Sequence, residues 1–289
     1  MTTRRSLLRG GIALGLLRQL DAALAAAPVL RVGPRRAVRT LAQAARLVEP
    51  GQRIEVDSGD YRADVAVWER DGVQLRAVSG RVRIVADGAS AEDKASFVVR
   101  ARGMRIEGFD FEGARSSARN GAGIRLESGS LAVHDCRFIG NEMGLLTAND
   151  PMIELDISDS EFAHNQRPDG HNHNLYVGQI ARLSIRGSWL HHARTGHLLK
   201  SRAAWNLVLA NRLVDGEGGR ASYELEFPNG GIAFVVGNTI EQAATTENEQ
   251  MISFGAEGWH WRDNRLYVTH NTLIDRRSPP GAFLHVAPG

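Results

Sequence analysis

The sequence predicts an all-β solenoid of stacked coils headed by one helix. Two observations carry this prediction. An apolar pattern returns about every 25 residues, and each return is followed, after a turn, by a second short alternating run. Composition agrees: 31 glycines in 289 residues with 6% aromatics is the balance of many tight turns joining short strands. At 43% hydrophobic the chain can bury one sizeable core, and it is read as a single domain over 26–289.

The first 28 residues read MTTRRSLLRGGIALGLLRQLDAALAAAP. A twin arginine, Arg4-Arg5, precedes an apolar stretch from Gly11 to Leu17, and Ala23-Leu24-Ala25 offers a small-residue cleavage site. The stretch resembles a twin-arginine export signal over 1–25, and its apolar run is too short to span a bilayer. The expected location is periplasmic or secreted, with no membrane insertion once the signal is removed. Residues 1–25 carry net +3 of the chain's +2, so the mature part is near −1. The pI of 9.0 therefore gives no reason to expect a nucleic-acid partner, and any basic site must be local. A single cysteine, Cys136, excludes an internal disulfide and a cysteine-based metal site.

Next, TLAQAARLV (40–48) has helical spacing at Leu41, Ala44 and Val48 and is ended by Pro50-Gly51. A solenoid must cover its first coil or leave bare edge amides, so this helix is the expected cap. IEVDSGDY (54–61) and VQLRAV (73–78) read as the first coils, or as a small separate lid.

The repeat then runs through MRIEGFDF, LAVHDCRF, LDISDSEF, LSIRGSWL, LVLANRLV, AFVVGNTI and LYVTHNTL, closing on Phe111, Phe138, Phe162, Leu190, Val214, Ile240 and Leu273. The closing residues lie 27, 24, 28, 24, 26 and 33 apart. The third-from-last position is Phe109, Cys136, Ser160, Ser188, Arg212, Asn238 and Asn271. Small and polar residues dominate it, as expected where stacked side chains hydrogen-bond along a bend. The second strands are GIRLES, GLLTAN, NLYVGQ, HLLKSR, YELEFP, MISFGA and AFLHVA. Seven such coils with three short strands each resemble the right-handed parallel β-helix of the pectate-lyase-like superfamily over about 50–289. The superfamily implies an extended carbohydrate polymer as ligand.

In a solenoid, residues one coil apart become neighbours about 4.8 Å apart. Offsets of 24 place Tyr176 beside Lys200, and Lys200 and Arg202 beside Glu224 and Glu226. In YELEF the alternation puts Tyr223, Leu225 and Phe227 inside and both glutamates outside. One outer face is therefore expected to carry Tyr176, Lys200, Arg202, Glu224 and Glu226. His173 and His197 also align, and His171, Asn172, His173 and Asn174 crowd before the Tyr176 strand. Trp205, in the turn after Arg202, and Asn229, in an Asn-Gly-Gly turn, complete the expected substrate contacts.

Three functions fit this block. A uronate lyase needs a cation at the carboxylate, a base for the C5 proton and an acid for the leaving oxygen. KSRAAWNLVLANRL resembles the lysine-bearing coil of the chondroitinase B and alginate lyase family, which implies Lys200 as base. That family carries an arginine on the next coil, where this chain has LEFPNGG and Glu226. A carboxylate so close would also raise the lysine pKa. An inverting glycoside hydrolase would use Glu224 and Glu226, about 6.5–7 Å apart by strand rise. A glycan-binding or structural face would use Lys200–Glu224 and Arg202–Glu226 as salt bridges. Stacked histidines can hold a transition metal or, with Asn and Asp, flank a calcium, but no HExxH or other tight ligand spacing occurs, so no metal residue is assigned and calcium is left open as a cofactor. The expected partner is a polysaccharide, and the expected state a monomer.

Overall fold

The computed structural model describes residues 28–288 except residue 168. The predicted export signal lies outside the described residues. Among these residues no helix is long and apolar enough to cross a membrane.

The chain winds into a parallel β-solenoid, a single sheet system of 24 strands in which each coil pairs with the next in parallel register. The one helix among the described residues, Leu41–Leu47, starts at Thr40, whose hydroxyl accepts from the Gln43 amide. The Asp64 carboxylate takes the next two orphan amides, Leu41 and Ala42, at 2.6 and 2.9 Å. Leu41 and Ala44 are fully buried against the first coils, the position expected of a cap. Residues 54–61 and 74–78 fall in paired strands, Arg53–Arg62 and Gln74–Val85, and belong to the solenoid rather than to a lid.

Packing along the axis repeats one residue type per column. Phe111, Phe138 and Phe162 stack with centroids 5.1 and 4.6 Å apart, and Leu190, Leu213 and Ile240 continue the column. The closing residue of the fifth unit is thus Leu213 and not Val214. That coil is one residue shorter than the pattern match suggested, so the polar column there is Asn211 and not Arg212.

The polar column is a hydrogen-bonded ladder. The amides of Cys136, Ser160, Ser188, Asn211 and Asn238 donate to the side-chain oxygens of Ser160, Ser188, Asn211, Asn238 and Asn271. A second ladder runs through Asn141, Asn165 and Asn174. Both satisfy bend amides that no strand partner reaches. Asn238 accepts from the Asn211 amide and carboxamide and donates to Val208 O and Asn271 Oδ1. Asn238→Ala should therefore orphan buried donors and acceptors and cost about 2–4 kcal/mol. Urea unfolding of the variant measures this, and an unchanged midpoint would make the ladder incidental.

Candidate functional site

The face that matters is a run of nine parallel strands, one per coil: Ala66–Trp68, Ala95–Glu107, Ala122–His134, Met143–Thr147, Leu175–Val177, Leu199–Ser201, Leu225–Phe227, Gln250–Phe254 and Ala282–Val286. Its inward column is apolar: Phe97, Ile124, Leu145, Leu175, Leu199, Leu225 and Ile252 are completely buried. Period-two alternation turns the intervening residues outward, giving Arg125, Leu146, Tyr176, Lys200, Glu226 and Ser253 in register.

The expected neighbour Tyr176–Lys200 is present. The next pairing differs from expectation: Lys200 lies opposite Glu226, because the step from this coil to the next is 26 residues rather than 24. The offset is 23 at Leu190–Leu213 and 26 at Arg194–Arg220, so three extra residues sit in the turn between them. Glu224 consequently precedes its strand at a bend, where the alternation rule does not hold. It is fully buried, beside Asp215 and within 3.5 Å of the Thr246 hydroxyl. Glu224 is not on the face, the Lys200–Glu224 and Arg202–Glu226 pairs do not form, and no Glu224/Glu226 hydrolase pair exists.

What surrounds Lys200 instead is a carboxylate clamp. Lys200 Nζ lies 2.9 Å from Glu226 Oε2 and 2.8 Å from Glu257 Oε1, and Glu257 Oε2 lies 2.6 Å from Arg202 Nη1. Arg202 also donates to the Tyr176 hydroxyl at 3.0 Å and to Asn229 Oδ1 at 2.7 Å, with its guanidinium over the Tyr176 ring. Glu226 also sits 2.8 Å from His197 Nε2. Its Oε2 meets Lys200 at ion-pair distance but outside hydrogen-bond geometry, so the ammonium charge rather than a directional bond holds it.

His173 accepts the His197 amide at Nδ1 and stacks on Tyr176, with centroids 5.3 Å apart. Both histidines thus line the face. Asn174 does not: it is fully buried in the second ladder and donates to His191 O. Trp205 also lies elsewhere, half-buried on the strand Trp205–Leu209 and packed on Phe234. The polypeptide turns a corner at Ala203, and the strand that follows belongs to another face.

The electrostatics follow from these contacts. Burial disfavours the Lys200 ammonium, but Glu226 and Glu257 outweigh it and hold the pKa above its ordinary value. Burial likewise opposes ionisation of Glu257, yet Arg202 and Lys200 bring its carboxyl down to about 2. Burial raises Glu226, and His197 and Lys200 reverse that to a net lowering. Burial keeps His197 and, more strongly, His173 neutral. Lys200 is therefore a fixed cation, the opposite of what a lyase base requires.

Sequence reasoning missed the segment that closes the clamp. Residues 255–264 form a loop over the face, with Glu257 N donating to Pro228 O and His260 N to Asn229 O at 2.9 and 3.1 Å. Asn264 accepts from the Gly231 amide, and the Trp261 indole donates to Arg202 O at 3.0 Å. Gly255 opens the loop at φ +83°, and a Cβ there would lie 2.5 Å from the Trp259 ring. The signal was the 33-residue spacing from Ile240 to Leu273, the longest of the series, which marks an insertion in this coil. Arg125, one column-mate above Leu146, adds a third cation to the face and is half-buried, with burial depressing its pKa.

A groove of about 550 Å³ lies on another face, lined by His134, Glu154, Asp156, Arg182 and Arg186, and shares no residue with the clamp.

These features define a class: a parallel β-helix with a charged strand face roofed by an inserted loop. No family model matches the chain, and no curated protein matches it. Among solved structures it is similar to the pectate lyase Pel9A (TM-score 0.52, 14% identity, covering 87% of this chain and 80% of that one). It is also similar to an alginate lyase from Paenibacillus sp. str. FPU-7 (0.52, 13%, 86% and 96%) and the pectin methylesterase from Aspergillus niger (0.50, 12%, 92% and 92%). The chain thus has the parallel β-helix fold of the pectate-lyase-like proteins, and at these identities the likeness concerns the fold.

Proposed function

We propose that this protein is an exported β-helix that binds an acidic polysaccharide on the Tyr176–Lys200–Arg202 face and cleaves it by lyase-type elimination. One observation carries the reading. The Glu257 carboxylate is gripped at both oxygens by Lys200 and Arg202, so the face already holds a site for one carboxylate. Glu257 arrives on a pinned backbone with its side chain 43% exposed, so a rotation of that side chain would free the clamp for a uronate. Solved β-helices of the same fold include a pectate lyase and an alginate lyase, which supports a glycan as ligand.

In this reading Lys200 and Arg202 neutralise the uronate carboxylate, which makes the C5 proton easier to remove. The Tyr176 oxygen, fixed by the Arg202 Nε donor, takes the C5 proton as the phenolate and hands it to the oxygen that leaves C4, so one proton moves and Tyr176 is regenerated. Lys200 acts as a cation and not as the base, because a substrate carboxylate replacing Glu257 would keep it charged.

The test is incubation with alginate, polygalacturonate and glycosaminoglycans while following the ultraviolet absorbance of unsaturated uronates. Tyr176→Phe keeps both ring contacts and should lower kcat about 10²–10⁴-fold at unchanged KM. Glu257→Gln removes the internal competitor and should tighten polyuronate binding at least tenfold by calorimetry. Tighter binding without turnover on any glycan would leave a binding face, the second reading that the same clamp supports. Absence of both binding and turnover would overturn the proposal.

A further inference from the structure

A second cluster, apart from the clamp, lies at a corner of the solenoid. His164 and His192 follow the paired strands Glu161–Ala163 and Trp189–His191, so they occupy equivalent corner positions in successive coils. Both have left-handed backbone, φ 55° and 51°, which points the two rings the same way, with centroids 4.8 Å apart. His191 joins them, and one ring nitrogen from each of the three lies within 4.8 Å of the others.

Three details go beyond crowding. His191 Nδ1 and His192 Nδ1 are 2.6 Å apart, closer than the 2.7–3.2 Å of ordinary N–H···O bonds. Two lone-pair nitrogens at that distance repel unless a proton or a cation lies between them. The opposite nitrogen of His191, Nε2, lies 3.2 Å from Glu161 Oε1, the carboxylate–histidine arrangement that fixes the tautomer of a metal ligand. The Trp189 ring stacks on His191 at 3.8 Å and locks its plane. Imidazoles on a tetrahedral ion stand about 3.3 Å apart, given metal–nitrogen bonds near 2.0–2.1 Å, so small rotations of His192 and His164 bring the three into ligand range.

We propose that His164, His191 and His192 bind one divalent transition-metal ion, with Glu161 orienting His191 and a fourth coordination position open to solvent beside the exposed His164. Imidazole ligands without a carboxylate in the inner set favour zinc, copper or nickel over calcium or magnesium. The site shares no residue with the clamp and does not depend on its function.

The test uses untagged protein stripped with chelator and titrated with Zn²⁺ by calorimetry and with Co²⁺ by visible absorption. The expected result is one ion per chain, with cobalt d–d bands of a low-coordinate nitrogen site. His164→Asn and His192→Asn, chosen because asparagine tolerates left-handed backbone, should each weaken binding at least 100-fold. Glu161→Gln should weaken it 10- to 100-fold with stoichiometry kept. His270→Asn, a change at an exposed histidine elsewhere, should leave affinity unaltered. Circular dichroism of each variant checks folding, and His164 is exposed, so its variant remains a fair test even if another fails to fold. No stoichiometric uptake by the parent protein, or equal affinity in the His164/His192 double variant, would overturn the proposal.

Discussion

Lys200→Ala is expected to lower stability by about 3 kcal/mol. Lys200 is 9% exposed and Glu226 4%, so removing the ammonium strands a buried carboxylate beside a neutral histidine. Glu257 matters less here, because it can turn to solvent. The loss is a property of the broken pair and not of the lysine alone. Glu226→Gln should therefore recover most of it in the Lys200→Met background, where methionine fills the volume without charge. A thermodynamic cycle of the two single variants and the double, by urea unfolding, should return a coupling energy of a few kcal/mol. Simple additivity would mean that the 2.9 Å contact carries no energy and that the pair is incidental.

The second large effect concerns Glu224 and the direction of its pH dependence. This side chain and Asp215 are both fully buried, and Glu224 Oε2 and Asp215 Oδ1 lack hydrogen-bond partners. Burial pushes Asp215 up to about 6, and burial together with Asp215 pushes Glu224 well above the carboxylate range. The folded state therefore holds protons that the unfolded state releases above about pH 4. The stabilisation from these groups is fully present below the unfolded pKa and is lost as pH rises through the folded one, at up to about 1.4 kcal/mol per pH unit for each proton. Buried His173 and His197 act in the opposite sense below their unfolded pKa, so the parent curve alone mixes the two effects. Subtraction isolates the carboxyl: Glu224→Gln should gain about 2–3 kcal/mol over the parent at pH 8 and little at pH 4.5. Calorimetric melting of both proteins across that range reads it. A difference independent of pH would mean that Glu224 is ionised in the fold.

The two effects share one structural cause, the 26-residue step between the Lys200 coil and the next. An offset of 24 would have put Glu224 on the face opposite Lys200. The longer turn slides Glu226 into that place and tucks Glu224 inside. A shift of two residues preserves the inside–outside alternation, which is why the apolar pattern gave no warning. Leu199 meets Leu225 just as it would have met Tyr223, with the hydrophobic column intact.

The amino-acid sequence by itself determined the architecture. A solenoid core is built from residues that repeat at nearly fixed spacing, and columns such as Phe111–Phe138–Phe162 and Ser160–Ser188–Asn238 are visible in one dimension because each coil solves the same packing problem. It also determined that Tyr176, Lys200 and Arg202 share a face, since those neighbours follow from one short offset and period-two alternation. Only the tertiary structure decided what the cations hold. Glu257 lies 57 residues from Lys200 in the chain and comes from a loop that obeys no repeat, and the register of Glu226 depends on the length of a turn. Turn lengths and inserted loops are set by local backbone geometry and by the surface on which they land. The hydrophobic repeat reports what must be buried, and the carboxylates that fill the clamp are placed by a turn and a loop that lie outside it.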